Sequence, residues 1–471
     1  MKKGTELDLH IESLAYGGQG VARADDFVVF VRNAIPGQSV RARVIRKKKS
    51  YAEASVLSVL KESDHTVKPR CTHFGHCGGC AFQNLKYEEQ IKQKGQQVRD
   101  ILQRIGHLNE FKINNTISSP LLFQYRNKME FSFSRIRWLS PEEIDSGKLI
   151  DREGLFLGLH AKGFYDKVID LQECHLTSPI AAEVLKTVRK FARQSGLPAY
   201  STRDHQGFWR FLIIRPSLNI NDLMVAVVTS EYRPELMSSL AAELTRAFPQ
   251  ITSLINGITS SKSSVAFSER DVLLSGSPVI AEKLDAFEFQ ISSNSFFQTN
   301  TKAAKVLYDI ALDYAEFNGD ENVYDLYCGA GSISIYASSG VKHITGFESV
   351  ESAVENARQN CRLNNVTNCT FVHCDLKYAL QDTQHIINTY GQPDVIILDP
   401  PRGGMHPKTV EAVLKLRPRR IVHVSCNPTT LARELSVLCK EHYRLNKVQP
   451  VDMFPHTPHI EVVAQLDLVT G

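Results

Sequence analysis

The chain has 471 residues, more than one hydrophobic core usually serves, so two or three domains are expected. Apolar residues make up 42% and charged residues 23%, a balance that excludes collagen-like, disordered and disulfide-scaffold classes. The N-terminal ten residues lack the apolar core of a secretory signal, and no apolar run approaches the roughly 18–20 residues of a membrane span. We therefore expect a cytoplasmic protein with no membrane partner.

The basic residues are concentrated at the N-terminal end of the chain. Residues 1–70 contain 13 Lys and Arg against 8 Asp and Glu, whereas the whole chain has a net charge of +4. Six of these basic residues fall within residues 41–49 (RARVIRKKK). Such a run is typical either of a solvated strand and turn or of the phosphate-contacting edge of a nucleic-acid-binding module.

Residues 1–61 are predicted to form a small β-barrel. Five short apolar stretches are separated by Gly, Asp and Pro-Gly turns, as in small all-β domains. The predicted strands are 5–11, 20–24, 27–31, 39–47 and 51–59. The segments YGGQGVAR (residues 16–23) and FVRNAIPG (residues 30–37) resemble the TRAM domain, an OB-like RNA-binding β-barrel. The resemblance covers nearly the whole segment.

Residues 62–290 are predicted to form a central α+β domain. Apolar residues recur at helical spacing over residues 87–105, and mixed strands and helices follow from about residue 117. The sequence leaves open whether helix 87–105 packs on this central domain or on the C-terminal one. Arg126 and Lys128 are candidate RNA contacts, with a solvated strand as the alternative.

Residues 291–471 are predicted to form a doubly wound α/β domain. Strands at 322–327, 343–348, 369–373, 395–398 and 420–425 alternate with helical patterns, including 349–364 and 407–415. Alternation of this kind builds a parallel sheet with helices on both faces.

Acidic residues lie at or just after the ends of the predicted strands. The first strand enters a helix through DLYCGAGS (residues 325–332), whose glycines allow a close approach of backbone to ligand. Glu348, Asp375 and Asp399 end or follow the next three strands. A single acid of this kind is commonly a helix N-cap, but four in succession beside a Gly-x-Gly turn indicate a ligand crevice. The turn lacks the third glycine of dinucleotide-binding folds, and the order resembles class I methyltransferases, which use S-adenosylmethionine.

Cys426 follows the fifth strand in the segment SCNPTT, which exposes its sulfur at the same sheet edge. Near the C-terminus, the segment FPHTPHIE ends at Glu461. Together with DPPR (residues 399–402) and NSFFQ (residues 294–298), these motifs resemble the RNA uracil-5-methyltransferases over essentially the whole chain. One departure is His423, where that family more often has Tyr.

The resemblance implies a role for each matching residue. Cys426 is the expected nucleophile, because a thiolate added at C6 of uracil activates C5 for methyl transfer. Glu461 is the expected general base that removes the C5 proton. The target uracil is expected to flip out of its stack to reach these residues. Asp399 is expected to hydrogen-bond the uracil edge as well. The cofactor-binding residues implied are Gln298, Tyr327, Glu348, Asp375 and Asp399.

Cysteines cluster in the central region. Cys71, Cys77 and Cys80 lie close together, and Cys174 is the candidate fourth thiol. Structural disulfides are rare in the cytoplasm, so metal ligation is expected. Zinc and an iron–sulfur cluster satisfy the spacing equally well. The segment HFGHCGGC (residues 73–80) resembles relatives with a four-iron–four-sulfur (4Fe-4S) cluster, which favours that group in a structural or RNA-contacting role.

The leading hypothesis is a 23S rRNA (uracil-5-)-methyltransferase that acts on structured RNA. A monomer is the expected oligomeric state. The TRAM-like barrel together with the cysteine cluster resembles the ribosomal RNA branch. The alternatives are a tRNA uracil-5-methyltransferase with the same chemistry, an amino-group methyltransferase that needs neither Cys426 nor Glu461, and a non-catalytic iron–sulfur RNA-binding protein.

Overall fold

The structure of the protein is a computed structural model that describes residues 1–147, 150–164 and 166–469. The chain forms two compact units. The first unit contains Met1–Pro69, Cys80–Pro120 and Ala303–Gly471, and the second contains Arg70–Gly79 and Leu121–Lys302. These units differ from the linear domains expected with boundaries near residues 61 and 290, because the chain returns to the first unit after residue 79.

The N-terminal segment of the first unit is a six-stranded sheet. Its strands are β1 (Glu6–His10), β2 (Ser13–Leu14), β3 (Gly20–Ala24), β4 (Phe27–Arg32), β5 (Ser39–Lys47) and β6 (Tyr51–Lys61). Their spatial order is β1-β5-β6-β4-β3-β2. Alternate residues of β5 (Val40, Ala42 and Val44) are buried, as expected for a strand with one apolar face. The five expected strands are present with similar bounds, and β2 is an addition.

The arginines of the basic run 41–49 are ion-paired. Arg41 lies 2.8 Å from Asp8 and Arg43 lies 2.8 Å from Glu6, across the pairing of β5 with β1. Arg46 lies 3.7 Å from Glu53 on β6. These exposed pairs stabilise the fold little, but they neutralise half of the run. The predicted phosphate-contacting edge therefore narrows to the exposed lysines 47–49 at the β5–β6 turn.

Helix α1 (Tyr87–Arg104) and the short strand β7 (Lys112–Ile113) follow in the first unit. Val98 and Leu102 of α1 are buried in the same core as the C-terminal α/β sheet, which answers where this helix packs. Lys94 is 1% exposed, and its ammonium donates hydrogen bonds to Asp452 at 2.7 Å and to the Phe454 carbonyl at 3.1 Å. No helix in the described ranges is both long and apolar enough to cross a membrane.

The second unit is an α+β arrangement, as expected. Its elements are β8 (Met129–Ile136), α2 (Pro141–Asp145), β9 (Glu153–His160), β10 (Val168–Asp170), α3 (Pro179–Gln194), β11 (Trp209–Pro216), β12 (Leu223–Thr229), α4 (Pro234–Ala247), β13 (Ser253–Ile258), β14 (Arg270–Gly276), β15 (Ile280–Leu284) and β16 (Phe287–Ile291). The seven-stranded sheet has the order β10-β9-β8-β11-β12-β13-β14, and β15 pairs with β16 separately. Buried apolar residues of α3 and α4 pack with Trp209 in one core.

The C-terminal region of the chain alternates helices and strands. Its elements are α5 (Thr301–Ala315), β17 (Asn322–Leu326), α6 (Ser332–Ala337), a 3₁₀ turn (Ser338–Gly340), β18 (His343–Glu348), α7 (Glu351–Leu363), β19 (Cys369–His373), α8 (Leu376–Ala379), α9 (Thr383–Tyr390), β20 (Val395–Leu398), α10 (Pro407–Leu416), β21 (Arg420–Ser425), α11 (Pro428–Glu441), β22 (Tyr443–Val451) and β23 (Glu461–Leu468). The sheet order is β19-β18-β17-β20-β21-β23-β22-β7. The strands β17 to β21 are parallel to one another, and β23 runs antiparallel to both of its neighbours.

The buried ion pair of Lys94 with Asp452 gives a stability prediction. Replacing Lys94 by Met leaves the fully buried Asp452 carboxylate without its cation, and loss of one partner of such a pair costs about 3–5 kcal/mol. The variant should show a clearly lower thermal unfolding midpoint. The control is Lys92→Met, because the Lys92 side chain is 73% exposed on the same helix. Equal midpoints for the two variants would contradict a stabilising role of the buried pair.

Candidate active site

The candidate site lies at the carboxyl edge of the parallel strands. β17 is central, with β18 and β19 on one side and β20 and β21 on the other, so the winding direction reverses there. In open α/β sheets, ligands bind in the crevice outside the strand ends at this reversal. The predicted residues that end or follow the five strands are Tyr327, Glu348, Asp375, Asp399 and Cys426.

The loop after β17 needs glycine at Gly331 for space and for backbone conformation. Gly331 has a φ of 75°, and a Cβ atom there would lie 2.7 Å from the ring of Phe371. Gly329 has a φ of 55°, and no atom lies within 4 Å of the position its Cβ would occupy. Its N–H donates a hydrogen bond to Glu348 Oε2 at 3.1 Å. The turn therefore leaves the backbone at Gly329 open to a ligand beside the Glu348 carboxylate.

Glu348 and Asp375 both accept hydrogen bonds from backbone N–H groups. Glu348 Oε1 accepts from Ser349 at 2.7 Å and from Val350 at 2.9 Å. Asp375 Oδ1 accepts from Lys377 at 3.0 Å and is the N-cap of α8. Of these two acids, only Asp375 acts as a helix N-cap, and it does so through Oδ1.

Two further acids have strongly raised pKa values because they are desolvated. Burial raises the pKa of Asp325 to about 7, and the hydrogen bond that it accepts from Ser334 at 2.6 Å opposes the shift. Burial raises the pKa of Asp399 to about 7 as well, and the charge of Asp325 adds to it. Tyr308 on α5 is buried, and its hydroxyl lies 2.8 Å from the Ser332 hydroxyl. Burial raises the pKa of Tyr308, and the charges of Asp399 and Asp325 add to the shift. Tyr308 was not predicted, because a buried tyrosine on a helix gives the same sequence pattern as core packing.

Cys426 and Glu461 lie at the same end of two paired strands. Ser425, the residue before Cys426, pairs with Val462, the residue after Glu461, across β21 and β23. The charge of Glu461 acts on the Cys426 thiol, so the two side chains lie near each other. Glu461 is 4% exposed. The structure therefore brings together the predicted nucleophile and the predicted base.

Burial and like charges control the protonation of this pair. Burial raises the pKa of the Cys426 thiol to about 12, Glu461 and Asp399 add to the shift, and the Arg402 guanidinium opposes it. Burial also raises the pKa of Glu461 well above its usual range, with Asp399 adding and Arg402 opposing. Because the pKa of the Cys426 thiol is about 12, the protein alone favours the thiol at neutral pH, and the raised pKa of Glu461 shifts that carboxyl toward its neutral form.

A glutamate on α11 holds the segment that carries Arg402. Glu434 Oε1 accepts the Met405 N–H at 2.6 Å, and Glu434 Oε2 lies 2.7 Å from Nε2 of His423. A Cβ at Gly404 would lie 2.2 Å from Glu434 Oε1, so glycine permits this approach. His423 stands where the family more often has Tyr. It is fully buried, and its ring is hydrogen-bonded to Glu434. Sequence analysis did not single out Glu434.

Gln298, the remaining predicted cofactor residue, belongs to the second unit. It is buried, and its backbone carbonyl accepts a hydrogen bond from the Asn127 side chain at 2.8 Å. Asn127 also donates to the Thr301 hydroxyl at 2.8 Å. The place of the Gln298 side chain in a cofactor pocket stays a prediction.

The cysteines predicted to bind a metal are divided between the two units. Cys71, Cys77 and Cys174 lie in the second unit, and Cys80 begins a segment of the first. Burial raises the pKa of the Cys71 thiol, and the charge of Cys174 adds to the shift. Among the residues that the structure describes, no group of three or more His, Cys, Asp or Glu side chains could hold a metal ion. The arrangement therefore does not support the predicted cluster.

Comparison with known proteins gives two family matches. The tRNA (uracil-5-)-methyltransferase family matches residues 221–468, and the TRAM domain matches residues 1–57. The chain is similar to an uncharacterized RNA methyltransferase of Chlorobaculum tepidum, with 42% identity over 91% of this chain and 89% of that protein. It is also similar to one of Porphyromonas gingivalis, with 39% identity over 97% and 99% of the two chains.

A solved structure with similar architecture is the Pyrococcus abyssi tRNA (uracil-54, C5)-methyltransferase in complex with S-adenosyl-L-homocysteine. The TM-score is 0.75 at 28% identity, and the match covers 98% of this chain and 100% of that chain. The N-terminal sheet, the second unit and the C-terminal α/β sheet therefore have counterparts within a single known fold.

The raised pKa of Cys426 gives a reactivity prediction. Because alkylation needs the thiolate, the rate at Cys426 should rise about tenfold for each pH unit from 7 to 9 without a plateau. Arg402→Gln removes the opposing cation, so its rate should be lower at each pH. The measurement is iodoacetamide labelling followed by mass spectrometry of the Cys426 peptide.

The control for this labelling is Arg433→Gln, which removes an exposed cation from α11. It should label like the unmodified protein. A plateau below pH 8, or faster labelling of Arg402→Gln, would contradict the electrostatic description of the site.

Proposed function

Because the chain belongs to the tRNA (uracil-5-)-methyltransferase family, we propose that it methylates C5 of a uridine in RNA through a covalent bond between Cys426 and C6. Members of this family take the methyl group from S-adenosylmethionine. The observation that supports the proposal is the pairing of Ser425 with Val462, because Cys426 and Glu461 are the neighbours of these two residues at the carboxyl edge of the sheet. An amino-group methyltransferase needs neither residue.

The reaction needs a nucleophile and a base on the same uracil ring. The Cys426 thiolate forms a bond to C6, and the C5=C6 electron pair moves toward O4 as an enolate. When bound, S-adenosylmethionine would supply the methyl carbon to C5, and its sulfur would leave as a neutral thioether. Glu461 removes the proton from C5, the double bond re-forms, and the Cys426–C6 bond breaks. Cys426 is released as a thiolate and Glu461 holds the C5 proton, so the site returns to its starting state only when Glu461 passes that proton to solvent or to the thiolate.

The pKa values of Cys426 and Glu461 are raised, yet both groups must be ionised for the reaction to proceed. The Cys426 thiol must lose its proton and Glu461 must be ionised before they act, and burial and the nearby acids oppose both. Arg402 favours both anions. S-adenosylmethionine supplies, besides the methyl group, a positive charge that complements this acidic site. Placement of Arg402 by Glu434 and Met405 is therefore part of the proposed mechanism.

The residues of the crevice fit the parts of a nucleoside cofactor. Glu348 lies where an acid meets ribose hydroxyls in folds of this kind, beside the open backbone of Gly329. We assign Tyr327 and Asp399 to the walls of the same pocket, Asp375 to the adenine side, and Gln298 to the methionine or uracil side. Asp399 also accepts or donates at the uracil edge, which favours uracil over cytosine.

For the substrate, we propose a uridine of 23S rRNA. The support is the combination of the TRAM domain with the cysteine-rich segment of residues 71–80. A tRNA uridine is the second candidate, and a specific observation favours it, because the Pyrococcus abyssi enzyme with the same overall fold acts on tRNA. The exposed lysines 47–49 suit phosphate contacts with either RNA.

The cysteine-rich segment gives a separate metal prediction. A 4Fe-4S cluster on Cys71, Cys77, Cys80 and Cys174 rests on their spacing and on the family resemblance. Protein purified without oxygen should then contain about four iron and four sulfide per chain. One zinc ion per chain would favour the zinc alternative instead. If protein that is active on RNA contains neither iron nor zinc, both metal predictions are wrong.

The mechanism predicts opposite defects for its two central residues. With RNA tritiated at uridine C5, Cys426→Ala should release no tritium, because addition at C6 is lost. Glu461→Gln should also release almost none, but it should accumulate a covalent protein–RNA complex that survives denaturing electrophoresis. The matched control is Cys439→Ala on α11, which should release tritium at the unmodified rate.

The same assay separates the alternatives. Release from 23S rRNA but not from tRNA supports the proposed substrate, and the reverse supports the tRNA candidate. Methyl incorporation without tritium release would identify amino-group chemistry. RNA binding with neither release nor incorporation would identify a binding protein.

A further inference from the structure

The loop between β2 and β3 of the N-terminal sheet reaches the proposed active site. The Tyr16 hydroxyl of this loop donates a hydrogen bond to the Cys426 carbonyl at 3.5 Å, although 410 positions separate the two residues. Burial raises the pKa of Tyr16 to about 12, the charges of Cys426 and Glu461 add to the shift, and Arg402 opposes it. Tyr16 therefore lies among the residues to which the reaction was assigned.

Helix α1 fixes the backbone just before Tyr16. The Leu14 N–H donates to Gln93 Oε1 at 2.8 Å. The Gln97 side-chain amide donates to the Leu14 carbonyl at 3.0 Å and to the Ala15 carbonyl at 3.4 Å. Both glutamines are buried, where an unmade hydrogen bond is costly. The position of the Tyr16 backbone is therefore set by the helix and not by the loop alone.

The other side of the loop lies against the segment that leads to Glu461. Gly18 has a φ of 90°, and a Cβ there would lie 3.2 Å from the Phe82 ring and 3.5 Å from Pro458 Cβ. Phe82 is 2% exposed. A side chain at residue 18 would strain the backbone and crowd the Phe82 ring, so glycine permits the close packing of this loop.

We propose that Tyr16 is a positioning residue of the methyltransferase site, whose hydroxyl holds the Cys426 carbonyl and thereby the direction of the Cys426 thiol. This inference rests on the proposed function of Cys426. The phenol stays protonated at neutral pH, so it stays a donor. The N-terminal sheet then has two roles, because it completes the active site in addition to any contact with RNA.

The test compares two tyrosine variants of the full chain in tritium release from RNA labelled at uridine C5. Tyr16→Phe keeps the ring and removes the hydroxyl, so kcat should fall about three- to tenfold, the effect of one hydrogen bond. KM for RNA and the thermal unfolding midpoint should stay unchanged. The control is Tyr51→Phe on β6, whose ring packs against Phe30 with centroids 5.4 Å apart, and which should keep the unmodified kcat.

A second variant tests the same positioning without altering Tyr16. Gln97→Leu removes the two hydrogen bonds to the loop backbone, so kcat should fall while KM for RNA stays the same. An unmodified kcat for Tyr16→Phe would overturn the inference, as would a raised KM with unchanged kcat, which identifies an RNA contact. Tritium release by Cys426→Ala would instead refute the proposed function. An inactive Cys426→Ala beside a fully active Tyr16→Phe would refute the role of Tyr16 alone.

Discussion

The antiparallel pairing of β23 with β21 is the constraint on which the proposed site depends. Six consecutive residue pairs fix the register, from Arg420 with Asp467 to Ser425 with Val462. A slip of one residue would move every side chain of β23 to the opposite face and would take Glu461 away from Cys426. The register is held by fully buried residues such as Val424 and Val462, so core packing fixes Glu461 next to the end of β21.

Around this pair, desolvation and negative charge shift the acids and the thiol toward their neutral forms. Burial raises the pKa values of Asp325 and Asp399 to about 7, and it also raises that of Glu461. The same environment raises the pKa of the Cys426 thiol. Such a site favours a cationic ligand, since a positive charge lowers the cost of every anion beside it. The chemistry proposed for Cys426 is therefore coupled to ligand binding.

The support for the site comes from three distant segments of the chain. Glu434 holds the segment with Arg402, α1 holds residues 452–456 through Lys94 and Gln90, and the β2–β3 loop supplies Tyr16. These side chains act through others, because they orient backbone and do not need to touch the uracil. A variant in any of them is expected to alter the rate more than the affinity for RNA.

Sequence patterns predicted much of the α/β region. The five parallel strands match the expected ones within one residue, because most are short runs rich in buried apolar residues, such as Val395–Leu398. The strands β22 and β23 were not predicted, although the motif containing Glu461 was. The pairing of β23 with β21 joins segments that α11 and β22 separate in the chain, so no local pattern shows it.

For the same reason, the sequence did not indicate the position of α1 or the contact of Tyr16 with Cys426. In the sequence, Tyr16 belongs only to a motif of the N-terminal sheet. The arginines of residues 41–49 formed an apparent basic edge, but their acidic partners lie on neighbouring strands. Linear charge runs do not show such cross-strand pairing. The cysteine cluster rests on spacing and resemblance alone.

The most direct test of the central claim is mass spectrometry of the protein after reaction with RNA that contains 5-fluorouridine. Fluorine at C5 cannot be removed as a proton, so the covalent complex should persist after methyl transfer. Digestion with protease and nuclease should yield a peptide in which Cys426 carries a methylated 5-fluorouridine nucleotide. An adduct on another residue, or RNA methylation at C5 without any adduct in a time course, would contradict the account.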